Sequence, residues 1–269
     1  MRAAGPQRGG VLKVSQYANP SSLDPTTGRS GGDHPMLWPI FDTLVDFDFA
    51  TLDPKPGLAE SWEYRDPTTL VLDIRKDVLF HDGTACDAQA VKANFDYMLT
   101  NPRSTVKADV VSIKSAEVEG PLRVVLHLKE PDTSLPLVLT DRAGMMSSPT
   151  AFKALGADYD RKPVGAGAYV FVQWDDADKL VLKRNERYWR EGLPNLDGIE
   201  FKVMTDSNTG LRAVLAGQND FVYRVSPQQA PLIKRSPTFG FVTNPTLYVQ
   251  MIYLNASRPP LDNKLLRRL

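Results

Sequence analysis

The stretch from Leu58 to Phe95 constrains the fold of this chain most strongly. Leucine or isoleucine recurs at every second position from Leu70 to Ile74, which is the period of a β-strand. A second short apolar run, Val78–Phe80, is followed by the turn dipeptide Asp82-Gly83, in which glycine tolerates positive φ. The pattern predicts a strand, a turn, and a second short strand.

A helix is predicted directly after this turn. Asp87 stands at an N-cap position, where a carboxylate accepts hydrogen bonds from the first free backbone N–H groups. Val91, Phe95 and Met98 follow at i, i+4 and i+7, so they form one apolar stripe. We expect this stripe to face the core.

The composition excludes some classes of function. Of 269 residues, 42% are hydrophobic and 24% charged, an ordinary mix for a globular protein. Lys+Arg and Asp+Glu are both 32, so no excess of positive charge is available to hold a nucleic acid. No apolar run reaches the length that spans a bilayer. The single cysteine, Cys86, excludes an internal disulfide.

Three segments of this stretch closely resemble the signature of the family 5 extracellular solute-binding proteins. They are Leu58–Glu63, Leu72–Val78 and Phe80–Thr84. Members of that family are the peptide, nickel and opine receptors of bacterial ABC importers. Read from the residues alone, Trp62 and Phe80 are predicted core residues, and no catalytic group stands out.

A second group of motifs carries the same resemblance. The family has a Gly-x-Gly-x-Tyr run, a strand with a tryptophan, a hairpin and an Asn-x-x-Tyr-Trp motif. The matching segments here are Gly165–Tyr169, Trp174, the acidic turn 175–178 and Asn185–Trp189. A strand Ile199–Met204 follows, and then a helix that Asp206 caps and Gly217 stops. In that helix, Leu211, Val214 and Leu215 are predicted to face the core.

Local patterns predict the remaining elements. The first is a strand with Val11 and Leu12 buried on opposite faces, which a loop at Leu23–Pro25 follows. A helix is predicted over Met36–Leu44, and Pro39 either shortens it or delays its start to near Trp38. The later elements are a proline-marked crossover at Asp53–Gly57, a hairpin of Ile113–Val118 and Leu122–Leu128, and a helix from Ser148-Pro149 to Gly156.

The resemblance implies an α/β fold: a periplasmic-binding-protein-like lobe (type II, cluster C-like) with an inserted smaller α/β domain. Residues 1–45 and 164–256 are assigned to the discontinuous lobe I, and 46–163 to the inserted domain that carries the signature. Residues 257–269 resemble the start of a second major lobe, where a helix begins with Leu265, Leu266 and Leu269. Family members are about twice as long, so the chain resembles the N-terminal half of one.

The resemblance also implies where a ligand binds. The loop from Arg29 to Trp38 lies at the mouth of the ligand cleft in that family, and the segment around Arg142 borders it. The candidate substrate-binding residues are Arg29, Ser30, Asp33, His34, Trp38, Arg142 and Met145. The alternative interpretations are a surface loop without a role in binding and, for Met145, a side chain of the hydrophobic core.

The resemblance implies that the protein captures a small solute between two lobes and delivers it to an inner-membrane ABC permease. A peptide is the favoured solute. No enzyme activity, cofactor or metal is expected, since His34, His81 and His127 have no partners at ligand spacing. A monomer in the periplasm or outside the cell is expected, without nucleic acid. Residues 1–10 hold no apolar region, so a signal or lipid-anchor peptide is expected before residue 1.

Two other classes remain open at this point. A regulator could use the same fold as a ligand sensor, which a DNA-binding domain upstream would indicate. A serine hydrolase is the weaker alternative, because Gly28–Gly32 matches G-x-S-x-G but no strand precedes Ser30. The ligand itself could be a peptide, a metal chelate, an opine or a sugar.

Overall fold

The structure of the protein, a computed structural model, describes residues 7–243 and 254–266. It divides into two compact units, Met1–Val225 and Ser226–Leu269, and each is described by itself. The strands are β1 (Val11–Gln16), β2 (Val45–Phe47), β3 (Pro54–Pro56), β4 (Ala59–Asp66), β5 (Thr69–Ile74), β6 (Ile113–Gly120), β7 (Arg123–Leu128), β8 (Tyr169–Asp175), β9 (Lys179–Arg184), β10 (Gly198–Val203) and β11 (Phe221–Val222). The α-helices are α1 (His34–Leu37), α2 (Ala88–Thr100), α3 (Leu135–Val138), α4 (Pro149–Leu155), α5 (Ser207–Leu215) and α6 (Ala230–Lys234).

A five-stranded mixed sheet has the order β11-β1-β10-β9-β8. Strand β1 runs parallel to both of its neighbours, β10 and β11, whereas β10, β9 and β8 are antiparallel. The predicted first strand is therefore present, but the prediction that Val11 is buried is wrong, since it is 48% exposed. Helix α5 packs against the far end of β1, with Gly210 beside Ser15, and leaves the first residues of the strand uncovered.

Helix α5 matches its prediction except for the burial of its last residue, Leu215. Asp206 caps it as expected, since its carboxylate accepts from the Thr209 N–H at 2.8 Å. Leu211 and Val214 are buried, but Leu215 is 37% exposed, so its assignment to the core is wrong. Leu215 is the last residue of the helix, where the adjoining strand β11 has only two residues to cover it.

A four-stranded antiparallel sheet has the order β4-β5-β7-β6. It contains the predicted strand Leu70–Ile74, which lies within β5, and the predicted hairpin of Ile113–Val118 and Leu122–Leu128, which forms β6 and β7. Helix α2 covers it, capped by Asp87 as predicted, with Val91, Phe95 and Met98 in the first hydrophobic core. Trp62 is only partly buried at the margin of this core. It therefore belongs to the rim rather than to the centre, because it lies on the edge strand β4.

The predicted second strand of the signature is absent. Leu79 and Ala85 form one isolated bridge, and residues 78–80 form no ladder. Asp77 has φ of +61°, and Gly83 has φ of +88°, so the backbone turns just before and just after this run. Phe80 is nevertheless 1% exposed, which confirms it as a core residue.

Helix α1 is a single turn that ends ahead of Pro39. This confirms the short helix and excludes the alternative in which the helix starts near Trp38. The proline-marked crossover at Asp53–Gly57 contains a short strand, β3, which pairs with β2. Ser148 caps α4 as predicted, and Gly156 ends it with φ of +55°.

The Gly-x-Gly-x-Tyr run packs directly on the chain before β2. A Cβ atom at Gly165 or Gly167 would lie 2.2 Å or 2.7 Å from the carbonyl oxygen of Ile40, so only glycine fits at these two positions. The Gly167 N–H donates to that same carbonyl at 2.9 Å. The two glycines of the motif thus allow their backbone to lie directly against the backbone of Ile40.

The Asn-x-x-Tyr-Trp motif holds a partly buried carboxylate. Tyr188 and Trp189 both donate hydrogen bonds to Asp42, the former at 3.1 Å. Burial raises the pKa of Asp42 to about 6, and these donors and Arg190 act against that rise. Trp189 is only partly buried, and Arg75 and Arg190 cover its ring at 4.4 Å and 4.6 Å from the centroid.

The second unit contains α6, and the Lys234 ammonium lies 5.2 Å from the Phe241 ring centroid. The predicted C-terminal helix is only partly within the described residues: Leu265 lies in a turn, and Leu269 falls outside them. The assignment of 1–45 and 164–256 to one lobe, of 46–163 to an inserted domain and of 257–269 to a second lobe stays a prediction.

Candidate functional site

The carboxyl edge of the parallel strands is the place where a ligand site is expected in an open α/β sheet. Strand β1 ends at Gln16, and the chain then leaves the sheet in the loop 17–33. The loop returns to the same edge, because the Gln16 side-chain amide donates to the Gly32 carbonyl at 2.9 Å. The predicted Arg29–Asp33 segment therefore lies at this edge.

Asp33 shapes this loop from inside. Its carboxylate is fully buried and accepts from the Ser21 N–H at 2.8 Å, the Ser21 hydroxyl at 2.6 Å and the Ser30 N–H at 3.2 Å. The Ser30 hydroxyl oxygen accepts from the Gly32 N–H at 3.0 Å. Asp33 thus organises the loop, while Arg29 is exposed beside it.

Arg142 fastens the loop from the other side. Its guanidinium donates to the Gly28 carbonyl and to the Thr105 hydroxyl, the latter at 3.3 Å. The Thr105 hydroxyl donates to the same Gly28 carbonyl at 2.6 Å. Arg142 therefore contacts the predicted loop, and its position holds the backbone just before Arg29.

His34 and Trp38 line a shallow, mainly apolar groove of about 460 Å3. The His34 ring nitrogen Nε2 lies 2.9 Å from Asp141, and this carboxylate raises the pKa of His34 above its usual range. The Trp38 ring meets Phe47 edge-on at 5.9 Å, and Leu52 and Leu137 complete the groove.

Met145 is placed in the second hydrophobic core and is 1% exposed. Its backbone forms an isolated bridge with Thr43. In this structure its side chain fills the core behind the site, as the alternative interpretation of its sequence position anticipated.

Two aromatic residues at this edge were missed from the sequence. Tyr17 follows β1 and Tyr223 follows β11, and their rings stack at 5.8 Å with an interplanar angle of 15°. The guanidinium of Arg224 lies 4.4 Å from the Tyr17 ring centroid. Their position directly after two short apolar strands is the signal that could have identified them.

The geometry gives no support to a serine hydrolase. Ser30 stands in an irregular loop and not at a strand-to-helix turn. Among the described residues, no histidine is hydrogen-bonded to its hydroxyl, and the three histidines bond to Asp141, Gly167 and Glu117.

The described residues offer neither a cluster of metal ligands nor a membrane-spanning helix. Within 7–243 and 254–266, no three His, Cys, Asp or Glu side chains are grouped to hold a metal ion. No helix in that part of the chain has the length and apolar content to cross a bilayer. Cys86 is buried, and burial raises the pKa of its thiol, which disfavours the thiolate.

The chain is similar in sequence to a known family and to a characterised binding protein. The profile of the bacterial extracellular solute-binding proteins, family 5 (middle part), matches residues 53–268. The glutathione-binding protein GsiB of Salmonella paratyphi A is 30% identical over 257 residues, which cover 94% of this chain and 50% of GsiB.

Two solved structures share the fold. MoaA of A. tumefaciens R10 in complex with mannopinic acid superposes with a TM-score of 0.85 at 22% identity, covering 96% of this chain and 53% of MoaA. A dipeptide-binding protein of Pseudoalteromonas sp. SM9913 in complex with Met-Leu gives 0.82 at 19% identity, covering 94% and 55%. The chain spans about half the length of these relatives.

Proposed function

Because the chain belongs to the bacterial extracellular solute-binding proteins of family 5, we propose that it is the N-terminal part of an ABC-importer receptor that binds a small solute. The receptor delivers this solute to an inner-membrane permease and has no enzyme activity. It acts in the periplasm or outside the cell as a monomer, with a signal or lipid-anchor peptide ahead of residue 1.

The observation that carries this proposal is the organised loop at the carboxyl edge of the sheet. Asp33 and Arg142 hold it from two sides, so its shape is set before a ligand arrives. A Cβ atom at Gly31 would meet nothing within 4 Å, which leaves the backbone open to close approach. A loop that these bonds hold in place, with Arg29 and Gly31 exposed, suits binding.

The proposed solute is a peptide or a peptide-like molecule. GsiB is named for glutathione and one structural relative holds Met-Leu, while another holds the opine mannopinic acid. The substrate-binding set proposed for this chain is Arg29, Ser30, Asp33, His34, Trp38 and Arg142, with Met145 behind them. Within it, Arg29 is the exposed charged side chain of the loop.

We propose that the second lobe, whose start we assign to 257–269, closes over this site. Small-ligand pockets bury about 70–90% of the ligand, and the loop at one sheet edge covers one face of it. Hinge closure between two lobes supplies the other face, as the general behaviour of periplasmic binding proteins illustrates.

Isothermal titration calorimetry of the full-length protein tests this function. Glutathione, Met-Leu and mannopinic acid are the probes, and Arg29→Gln is compared with Arg65→Gln, an exposed arginine on β4. We expect at least one probe to bind, and Arg29→Gln to weaken it while Arg65→Gln does not. Binding of none of them, or ester or peptide hydrolysis that Ser30→Ala abolishes, would contradict the proposal.

A further inference from the structure

The peptide unit between Gly28 and Arg29 is held at both of its ends. Its carbonyl oxygen accepts hydrogen bonds from the Thr105 hydroxyl at 2.6 Å and from the Arg142 guanidinium. Its N–H group, which is that of Arg29, donates to the Ser21 hydroxyl oxygen at 3.0 Å. Because a peptide unit is planar, contacts at both ends fix the orientation of the whole plane. They therefore set the direction in which the chain enters the exposed part of the loop.

Thr105 contacts this loop through both its backbone and its side chain. Its N–H group donates to the Thr26 carbonyl at 2.9 Å, and its hydroxyl donates to the Gly28 carbonyl. The hydroxyl oxygen also accepts from the Arg142 guanidinium at 3.3 Å. Loss of this one hydroxyl group would therefore break a hydrogen bond to the loop and a hydrogen bond to Arg142.

Thr105 belongs to the short segment that follows helix α2, the helix that covers the four-stranded sheet. In the same segment, Arg103 forms an ion pair with Asp160 at 2.6 Å. Asp160 also accepts from the Thr27 hydroxyl at 2.7 Å. The segment thus contacts three consecutive residues of the loop, either directly or through Asp160. The position of the loop therefore depends on a part of the fold outside the five-stranded sheet.

We propose that Thr105 is a positioning residue for solute binding. Its hydroxyl orients the Gly28–Arg29 peptide unit, so that the exposed residues Arg29 and Gly31 already face the solute. A loop held in its binding conformation loses less conformational entropy when the solute binds. This inference rests on the proposed function, and it adds to the binding site a residue from the segment after α2.

Calorimetry on the full-length protein, with Met-Leu, glutathione and mannopinic acid as probes, compares Thr105→Val with Thr105→Ser. Valine keeps the branched shape of threonine but has no hydroxyl group. Thr105→Val is therefore expected to weaken a probe that binds about 3- to 10-fold, which corresponds to about one hydrogen bond. Thr105→Ser keeps the hydroxyl and is expected to stay within about 2-fold of the unaltered protein.

Thr100→Val is the matched control. The Thr100 hydroxyl donates to the Asp96 carbonyl at 2.6 Å at the exposed end of α2, so this variant loses an equally short hydrogen bond away from the loop. It is expected to leave the affinity unchanged. If Thr105→Val does not fold, Thr105→Ala removes the same hydroxyl and is expected to give the same loss of affinity.

Hydrogen exchange provides a readout that does not depend on the identity of the solute. Mass spectrometry of a peptide covering residues 24–33 is expected to show faster amide exchange in Thr105→Val, because the Gly28 carbonyl has lost one of its partners. Thr105→Ser and Thr100→Val are expected to exchange at the rate of the unaltered protein.

Either an unchanged affinity or an unchanged exchange rate in Thr105→Val would overturn the positioning role while leaving the solute-binding function intact. The same conclusion would follow from a loss that Thr105→Ser does not restore, or from an equal loss in Thr100→Val. Failure of all three probes to bind the unaltered protein would instead contradict the function itself, and the role of Thr105 in binding with it.

Discussion

The hydroxyl of Tyr97 lies 2.9 Å from a carboxylate oxygen of Asp24, and this contact joins helix α2 to the loop that leads into the candidate site. The Thr26 N–H donates to the same carboxylate at 2.8 Å. Asp24 is fully buried, and burial raises its pKa to about 6. The loop is therefore hydrogen-bonded to a carboxyl group that loses its proton as the pH rises through about 6.

We predict that Asp24 makes the stability of the chain depend on pH. In the unfolded chain its pKa is near 4, so the folded state holds a proton there between about pH 4 and 6. The stabilisation is complete below pH 4 and is lost as pH rises through 6, a difference of about 3 kcal/mol. Urea unfolding from pH 4 to 8 measures it.

Asp24→Asn is expected to reduce this loss, while Asp53→Asn, at an exposed position, is expected to keep it. Asp42, whose pKa is also about 6, contributes a loss in the same direction and remains in both variants. Identical pH profiles for the unaltered chain and Asp24→Asn would contradict the prediction.

Trp189 is expected to stabilise the fold more through the hydrogen bond that its N–H group donates than through the burial of its ring. Trp189→Phe keeps an aromatic ring for Arg75 and Arg190 but leaves the Asp42 carboxylate short of one donor. An unsatisfied buried group costs about 1–3 kcal/mol in the free energy of unfolding. Trp62→Phe, on the half-buried rim of the first core, is expected to cost less than about 1 kcal/mol. Equal effects of the two variants in chemical denaturation would contradict this account.

Gly165→Ala is expected to destabilise the chain strongly. The new methyl group would lie 2.2 Å from the Ile40 carbonyl oxygen, so the backbone has to move. Gly120→Ala is the matched control, since its Cβ would meet nothing within 4 Å. We expect a loss of about 3 kcal/mol or more for the first and within about 0.5 kcal/mol of no change for the second. A thermal midpoint unchanged by Gly165→Ala would show that this close contact is absent.

His34 is expected to titrate above its ordinary pKa because Asp141 favours its charged form. The stabilisation from this pair is complete below the unfolded pKa of about 6.5 and is lost as pH rises through the folded value. An NMR titration of the His34 ring measures the pKa directly. Asp141→Asn is expected to lower it, and a titration curve that does not respond to Asp141→Asn would contradict the pairing.

Local signals predicted much of this fold. Asp87, Ser148 and Asp206 were identified as helix caps from neighbouring residues alone, because capping needs only the first turn of a helix. The hairpin β6–β7 likewise depends on alternation and a turn, whereas the hairpin β8–β9 was predicted from the family resemblance.

Burial at the ends of elements was not predictable in the same way. Val11 and Leu215 have the right spacing for a core face, but whether they are covered depends on where α5 crosses the sheet. The Tyr17–Tyr223 pair was missed because it depends on β1 and β11, distant in sequence, lying next to each other. The loop Arg29–Asp33 was located by family resemblance, whereas the buried role of Asp33 required its contacts.

The central claim is that this chain supplies one face of a two-lobe solute site. Calorimetry with glutathione, Met-Leu and mannopinic acid, on residues 1–269 and on the full-length protein, tests it most directly. Each factor of ten in affinity corresponds to about 1.4 kcal/mol, so losing half of the contacts is expected to weaken binding by several powers of ten. We predict tight binding of at least one probe by the full-length protein and weak binding by residues 1–269. Equal, tight binding by both would contradict the two-lobe account.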